Sequence, residues 1–384
     1  MHDGPESLPP ASLAALKAAQ VVMGPARHLG LLPVLEAQQI VWPVPFADGL
    51  PVLQSLRGQR VAVLVSGDPF WFGTGSVIAQ ALGPDEWTAL PAPSTFSLVA
   101  ARLGWPLERT PCLGLHAAPF AQLRPHLVMG ARAIVLLRDG TAVASLARWL
   151  AGQGFAQSRL HIFEAMGGPK ERLRVAHAES FMLDDVQHPV AVGLEIAGDG
   201  VPFTQVSGRE DDLFAHDGQI TKRPIRALAL SALSPRAGEL LWDIGGGSGS
   251  ISVEWCLSHP SLRAICVEPR ADRLAIIREN VARFGVPIDV MEGHAPDALA
   301  ALPNPNAVFI GGGLSAALLD MLTPMTGTRM VAHAVTLESE ALLVDWAARK
   351  GGNLMRVEIA QAEPLGRLRG WVSARPIVQW AGVL

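Results

Sequence analysis

The stretch at residues 240–252, LLWDIGGGSGSIS, constrains the fold of this chain more than any other. A short apolar run, typical of a buried strand, is followed by a glycine-rich turn at 245–249 and then by an apolar pattern of helical period. A strand, a glycine turn and a helix in this order bring a backbone and a helix N-terminus close to a nucleotide-like ligand. The stretch therefore predicts an α/β domain with a ligand at the end of a strand.

Three residues around this turn indicate the kind of ligand. The dinucleotide pattern G-x-G-x-x-G would need glycine at position 250, where the chain has Ser250. Asp243 ends the strand, and a carboxylate there would repel a pyrophosphate but accept hydrogen bonds from an ammonium group. Glu268 ends the next predicted strand, about 20 residues on, where an acidic residue can bind ribose hydroxyls. Together they favour S-adenosylmethionine over NAD, although each alone also fits a structural turn or a solvated carboxylate.

Composition narrows the class of protein. A chain of 384 residues with 49% hydrophobic and 17% charged residues predicts about two to three well-packed domains. The net charge of −4 argues against general nucleic-acid binding. Three cysteines without C-x-x-C spacing predict a reduced, cytoplasmic protein without a metal site. The N-terminus lacks the pattern of a secretory signal, and no apolar run reaches the roughly 18 residues of a membrane span.

The second half alternates apolar strands with amphipathic helices, which predicts a parallel sheet flanked on both sides. Two late strands, at 353–359 and 371–378, have no helix between them and are predicted to form an antiparallel hairpin at a sheet edge. We predict that the domain boundary lies in a glycine-rich and polar stretch at 198–218. The predicted organisation is a first domain at 1–200, a linker at 201–216 and a second domain at 217–384.

In the first half, the run RVAVLV at 60–65 predicts a buried parallel strand. Gly67 and Asp68 follow it directly, at the strand end where ligands of α/β sheets bind, although Gly-Asp-Pro is also an ordinary turn. Ser94 and Thr95 are candidate caps of the next helix. Two further strands, near 173–177 and 189–194, are predicted to pair with each other as a hairpin.

Other residues are candidates for binding a large anionic substrate. Glycines 311–313 follow a strand and would let a flat molecule lie close to the backbone, or would simply form a flexible turn. A basic rim for a polycarboxylate is predicted, because arginine pairs with carboxylates bidentately. Taken singly, arginines of this kind are usually solvated. The members of the two candidate groups are Gly311, Gly312, Gly313, Arg223, Arg226, Arg367, Arg369 and Arg375.

Sets of motifs in the two halves resemble two methyltransferase families. The second half resembles the class I methyltransferase domain that decarboxylates and methylates precorrin, through ITKRPIRALAL, LLWDIGGGSGSISVE, CVEPRADRLAIIRENVARFG, EGHAPDAL and AVFIGGGLS. The first resembles the tetrapyrrole methylase family, through VLVSGDPFWFGTGS, PAPSTFSLVAARLGWP and FEAMGGPKERL. The resemblance implies an N-terminal tetrapyrrole methylase-type α/β domain with two subdomains, followed by a class I Rossmann-like methyltransferase domain.

The resemblance also implies an activity. It implies methyl transfer from S-adenosylmethionine to carbons 5 and 15 of a precorrin-type tetrapyrrole, with loss of the ring C acetate carboxylate, in cobalamin biosynthesis. A cytoplasmic homo-oligomer, dimer or tetramer, is expected by analogy. No nucleophile is expected, because electron-rich carbons can attack the methyl group directly. Residues that would line the cofactor are Thr221, Gly245, Gly246, Gly247, Ser248, Gly249, Glu268 and Ala295 in the second domain, and Gly67, Asp68, Ser94 and Thr95 in the first.

The sequence departs from the patterns of the two families at three places near the two expected cofactor sites. The chain starts at what looks like the end of the first glycine loop of tetrapyrrole methylases, so the first strand of that sheet is expected to be missing. His294 stands where an acidic residue is usual, and GLHAAP lacks a Gly-Arg pair after the histidine.

One alternative is a class I methyltransferase for another small molecule, with a non-catalytic tetrapyrrole-binding first half. Another is a non-catalytic scaffold that binds a tetrapyrrole or partner enzymes.

Overall fold

A computed structural model describes residues 8–204 and 206–384. The chain divides into two compact units, Met1–Pro202 and Phe203–Leu384. We call them unit 1 and unit 2. Across the described residues, no helix is long and apolar enough to cross a membrane.

Unit 1 starts with a three-stranded parallel sheet of β1 (Val21–Gly24), β2 (Gln38–Val41) and β3 (Val61–Val63), in the order β2-β1-β3. In the central strand, Val22 packs with Leu16 and Leu64 on one face, and Met23 packs with Trp42 on the other. The predicted strand at 60–65 is parallel, but it is only half-buried because it lies at the edge of the sheet. The elements are α1 (Pro10–Ala18), β1 (Val21–Gly24), α2 (Ala26–Leu29), β2 (Gln38–Val41), α3 (Gly49–Ser55), β3 (Val61–Val63) and α4 (Gly75–Ala81).

A second, five-stranded sheet completes unit 1, so the expected pair of subdomains is confirmed. Its elements are α5 (Thr95–Leu103), β4 (Cys112–Gly114), β5 (Arg132–Leu137), α6 (Thr141–Gly152), β6 (Arg159–Glu164), β7 (Arg172–His177) and β8 (Val190–Glu195). The strand order is β4-β5-β8-β6-β7. The predicted pairing of β7 with β8 is wrong, because β6 lies between them and pairs antiparallel with both. Burial explains this order: β8 is apolar and buried on both faces and suits the interior, whereas β7 alternates and suits an edge.

Unit 2 is built on a seven-stranded sheet in the order β11-β10-β9-β12-β13-β17-β14, in which β14 (Asn353–Val357) and β17 (Ile377–Val383) come from the end of the chain. All pairs are parallel except those of β17, which runs antiparallel to β13 and β14. The elements up to the last helix are α7 (Arg223–Leu233), β9 (Leu240–Ile244), α8 (Ser250–Ser258), β10 (Arg263–Glu268), α9 (Ala271–Phe284), β11 (Ile288–Glu292), β12 (Ala307–Ile310), α10 (Ala316–Leu322), β13 (Arg329–Ala334) and α11 (Leu337–Lys350).

Successive residues of the central strands enter two different cores, as expected for a sheet covered on both faces. Leu241 belongs to the core formed with α7, α8 and α9, whereas its neighbour Trp242 belongs to the core formed with α10 and α11. Cys266 and Val267 of β10 divide in the same way. The continuous apolar runs in the sequence therefore predicted this sheet correctly.

The end of the chain differs from the predicted edge hairpin. Its strands are β14 (Asn353–Val357), β15 (Ala360–Leu365), β16 (Leu368–Ser373) and β17 (Ile377–Val383). β14 does form an antiparallel edge pair, but its partner is β17, and β15 and β16 form a separate two-stranded hairpin. Residues 371–378 are therefore divided between two strands. The buried face of β17, with Val378 and Trp380, explains why that strand enters the sheet.

Two aromatic residues of the segment predicted as a linker are packed in the core of unit 2. Phe203 and Phe214 are buried against Phe284, with ring centroids 5.1 and 4.8 Å apart. We call residues 206–222 the strap. Phe203 and Phe214 of the predicted linker at 201–216 thus belong to the core of unit 2, where their rings pack against Phe284 at one end of α9.

Candidate functional site

The glycine turn of unit 2 follows the central strand of the sheet. β9 pairs with β10 on one side and with β12 on the other, so the strand order reverses direction at this point. Ligands of open α/β sheets bind in the crevice at such a reversal, at the carboxyl ends of the strands. The turn predicted from the sequence therefore stands at the position where this fold binds ligands.

Close backbone approach explains why the turn needs glycine. A Cβ atom added to Gly246 would lie 2.1 Å from the Sγ atom of Cys266 on β10. A Cβ atom on Gly245 would lie 2.7 Å from the Cα atom of Gly312, and Gly245 also has a φ angle of +70°. The Gly311 amide donates to the carbonyl of Ile244 at 2.9 Å. The predicted glycines after β9 and after β12 thus meet at one edge of the sheet.

Asp243 lies just before the turn, and one of its two carboxylate oxygens already accepts hydrogen bonds within the protein. Its Oδ2 atom accepts hydrogen bonds from the Ser252 hydroxyl at 2.6 Å and from the Ser252 amide at 3.2 Å. Its Oδ1 atom is buried and has no hydrogen-bond partner within the described residues. Burial raises the pKa of Asp243 to about 6. Among the described residues, the site therefore contains a buried acceptor without a donor, together with the Ser248 hydroxyl, whose Oγ atom is likewise buried and unpartnered.

Glu268, at the end of β10, contacts the turn itself. Its Oε2 atom accepts a hydrogen bond from the Gly247 amide at 2.9 Å, and its Oε1 atom accepts one from the Arg270 amide at 3.2 Å. Only 3% of the residue is exposed, so it is not a solvated carboxylate. The structure thus brings both predicted acidic residues to the two sides of one glycine turn.

Arg226 is not part of a basic rim, and this prediction is wrong. The side chain is fully buried, and its Nε atom donates to Glu254 of α8 at 2.7 Å. Its Nη1 atom donates to Asp211 at 3.0 Å and to the Thr221 carbonyl, and its Nη2 atom donates to the Arg209 carbonyl. Arg226 therefore holds the strap to α7 and α8, and Thr221 is fixed through its backbone.

The remaining predicted substrate residues lie on exposed segments. Arg223 is exposed and pairs with Glu210. Arg367 and Arg369 lie on the exposed hairpin of β15 and β16, between β14 and β17. β17 starts opposite the end of β13, where Val378 pairs with Ala334, so the hairpin leaves the sheet at the edge that carries the glycine turn. Arg375 is exposed on the same connection. Gly313 follows β12, and the predicted cofactor residue Ala295 follows β11.

The candidate site of unit 1 is at the end of β3. Asp68 accepts a hydrogen bond from the Phe70 amide at 2.8 Å, and the Gly67 carbonyl accepts one from the Ala92 amide at 3.4 Å. The second bond brings the 66–69 turn next to the start of α5. There Ser94 caps the helix by accepting from the Ser97 amide at 3.1 Å, which confirms that predicted cap.

A groove of about 890 Å³ lies along β3 and reaches Gly67 and Phe70. α1 and α4 contribute to its walls. β3 is an edge strand of its sheet, and the groove runs along this edge. The expectation that the sheet has lost a strand stays a prediction.

Both halves of the chain match known families. The family described as "Precorrin methyltransferase domain" matches residues 212–383, and "Tetrapyrrole (Corrin/Porphyrin) Methylases" matches residues 3–181. A protein from Sinorhizobium sp named precorrin-6Y C(5,15)-methyltransferase [decarboxylating] is 46% identical over 390 residues, covering 99% of this chain and 94% of that protein. The chain belongs to the decarboxylating precorrin-6Y C(5,15)-methyltransferase family.

A shorter protein and the solved structure of a single domain are similar to part of the chain. A probable cobalt-precorrin-6B C(15)-methyltransferase (decarboxylating) from Pyrobaculum calidifontis is 32% identical and covers 44% of this chain and 92% of that protein. The solved structure of the C-terminal domain of precorrin-6Y C5,15-methyltransferase from Rhodobacter capsulatus is 60% identical, with a TM-score of 0.46, and covers 47% of this chain and 100% of that one.

Sequence reasoning missed four side chains that support the two sites. In unit 2, Ser252 binds Asp243, and the buried Asn280 donates to the Ser248 carbonyl at 2.9 Å. In unit 1, His28 Nε2 lies 3.1 Å from the Ser66 hydroxyl, to which Arg27 also donates at 3.1 Å. A polar residue in the first turn of the helix after the glycine turn could have pointed to Ser252. The other three are brought to their partners only by tertiary structure.

Proposed function

We propose that this protein methylates precorrin-6Y at carbons 5 and 15 with S-adenosylmethionine and decarboxylates the ring C acetate. Membership of the family over the full chain supports the reaction class. The observation that carries the proposal within this chain is the glycine turn between Asp243 and Glu268, with one carboxylate oxygen of Asp243 left without a donor.

The residues around the turn fit S-adenosylmethionine. The unpartnered Oδ1 atom of Asp243 suits the ammonium group of the cofactor, and the unpartnered Ser248 hydroxyl suits its carboxylate or ribose. Glu268 keeps acceptor capacity for ribose hydroxyls, since each of its oxygens accepts one bond within the protein. When bound, the cofactor supplies an electrophilic sulfonium methyl group. The position of that group would be fixed by the turn, which Glu268 holds, and by Asp243, which Ser252 holds.

We assign methylation of carbon 15 and decarboxylation to unit 2, and methylation of carbon 5 to unit 1. The name of the Pyrobaculum protein, which combines these two steps in a chain much shorter than this one, supports the division. Each unit then needs only to position a nucleophilic ring carbon and exclude water. The shape of the binding pocket can do this without a covalent nucleophile from the protein. Arg367 and Arg369 would bind acetate and propionate groups, because their hairpin leaves the sheet at the edge of the turn.

Incubation of the whole protein with precorrin-6Y and S-adenosylmethionine tests the proposal. Product mass should increase by two methyl groups and decrease by one carbon dioxide, with the released gas measured in parallel. Titration with S-adenosylhomocysteine should give two sites per chain. A single site and a single methylation would instead support a class I methyltransferase with a non-catalytic first unit, and no product would refute the assignment.

A further inference from the structure

Asn280 of α9 is a fully buried amide whose hydrogen bonds join two separate segments of unit 2. Its Oδ1 atom accepts from the Ala215 amide at 2.9 Å, and its Nδ2 atom donates to the Ala215 carbonyl, also at 2.9 Å. The same Nδ2 atom donates to the Ser248 carbonyl at 2.9 Å. Both amide hydrogens and the carbonyl oxygen are therefore in use, as a buried side chain of this kind requires.

The two segments that Asn280 joins are the strap and the glycine turn. Ala215 belongs to the strap, and Ser248 is the fourth residue of the turn. Beyond Ala215 the strap continues to Gln219, whose carbonyl oxygen lies 3.7 Å from the position of a Cβ atom added to Gly247. The strap thus passes over the backbone of the turn, and Asn280 sets the separation of the two.

Other α9 side chains hold the strap without contacting the turn. Arg283 donates to the Leu213 carbonyl at 3.0 Å, and Arg273 pairs with Asp217 at 3.0 Å. Arg283 follows Asn280 by three residues and is about one turn of helix away. It therefore offers a matched control, because its removal loosens the strap while leaving the bond to Ser248 in place.

We propose that Asn280 is a positioning residue that holds the strap over the glycine turn and keeps the methyl-donor pocket of unit 2 ready to bind. This inference rests on the proposed function. Without the amide, the strap and the turn would have to be ordered when the donor binds, and that cost reduces affinity. The chemical step, once the donor is in place, uses the same turn and the same substrate carbon. The effect should therefore be on donor affinity rather than on kcat.

The test compares Asn280→Ala with Arg283→Ala in the whole chain. S-adenosylhomocysteine binding is measured by calorimetry, and KM for S-adenosylmethionine and kcat are measured separately for the two methylated carbons. For Asn280→Ala, we expect Kd and KM at the unit 2 site to rise about tenfold or more, with kcat within about twofold. Methylation by unit 1 should not change and serves as an internal control. For Arg283→Ala, Kd should change by less than about threefold.

Equal effects of the two substitutions, or a fall in kcat at unchanged KM, would overturn the proposal. If Asn280→Ala fails to fold, Asn280→Asp replaces it, because the ionised carboxylate still accepts from the Ala215 amide but cannot donate to Ser248. That variant should weaken donor binding by a similar factor, and unchanged binding would overturn the proposal. A wild-type protein that binds no S-adenosylhomocysteine in unit 2 would refute the proposed function itself. Normal wild-type binding with an unaffected Asn280→Ala would refute only the role of Asn280.

Discussion

The ionisation of Asp243 should control binding of the methyl donor in unit 2. Burial raises the pKa of Asp243 to about 6, from an ordinary value of 3.8. An ammonium group favours the carboxylate form, so donor affinity should rise as the pH increases through about 6 and then level off. At pH 5 about a tenth of this carboxyl is ionised, so the affinity should be about tenfold below its plateau.

The matched variant is Asp243→Asn, which keeps the shape of the side chain. Its amide oxygen can still accept from Ser252, but its NH₂ group would then face the ammonium group of the donor. Because a hydrogen bond to a charged group contributes about 1.5–3 kcal/mol, binding at pH 7.5 should weaken by about 10- to 100-fold. Calorimetric titration with S-adenosylhomocysteine between pH 5 and 8 checks both effects. A variant that binds as tightly as the wild type, or that keeps the step near pH 6, would refute this reasoning.

The same pKa predicts an opposite effect on the stability of the ligand-free protein. A carboxyl whose folded pKa is raised contributes stability below about pH 4, which is lost as the pH rises through about 6. The shift of about two pKa units corresponds to about 3 kcal/mol. Asp243→Asn should therefore unfold at a higher temperature than the wild type at pH 7.5, and this difference should diminish towards pH 4. Scanning calorimetry of both proteins measures it, and a variant less stable at pH 7.5 would contradict the assignment.

Three further substitutions test the contacts described above. Gly246→Ala places a methyl group on the Sγ atom of Cys266 and should destabilise unit 2 by about 1–3 kcal/mol, and adding Cys266→Ala should restore most of the loss in urea titrations. Arg226→Ala removes the ion-pair partner of the buried Glu254 and the side-chain donor to the Thr221 and Arg209 carbonyls, and should cost about 3–5 kcal/mol; a change below about 1 kcal/mol in the same titrations would exclude the buried ion pair. Asp68→Ala should lower methylation at carbon 5 and leave carbon 15 unaffected, as measured by product NMR.

Local patterns predicted the central part of unit 2 well. The bounds of β9, α9 and β12 follow directly from apolar runs and helical periodicity, because these elements are buried in the sheet or packed against it. The glycine turn and its two flanking carboxylates were recognised from their spacing along the chain, because that spacing is set by the strand, turn and helix between them. What the sequence did not show is how far these carboxylates are buried and which of their oxygens are already used.

Long-range pairing accounts for most of what was missed. Arg226 resembles a surface residue in the cluster KRPIR, and only the packing of α7 against α8 brings Glu254 to it, 28 residues later. Asn280 contacts residues 65 and 32 positions away. The order of β6, β7 and β8 was likewise decided by burial in the assembled sheet rather than by adjacency in the chain. Such contacts have no signature within a local window.

Product analysis of Asp243→Ala tests most directly whether each unit methylates one carbon. The variant is incubated with precorrin-6Y and S-adenosylmethionine carrying a ¹³C-labelled methyl group, and the labelled carbons are assigned by NMR. Two independent sites predict label at carbon 5 alone, with the ring C acetate retained and no carbon dioxide released. Loss of label from both carbons in a folded protein, or label still present at both, would contradict the two-site account.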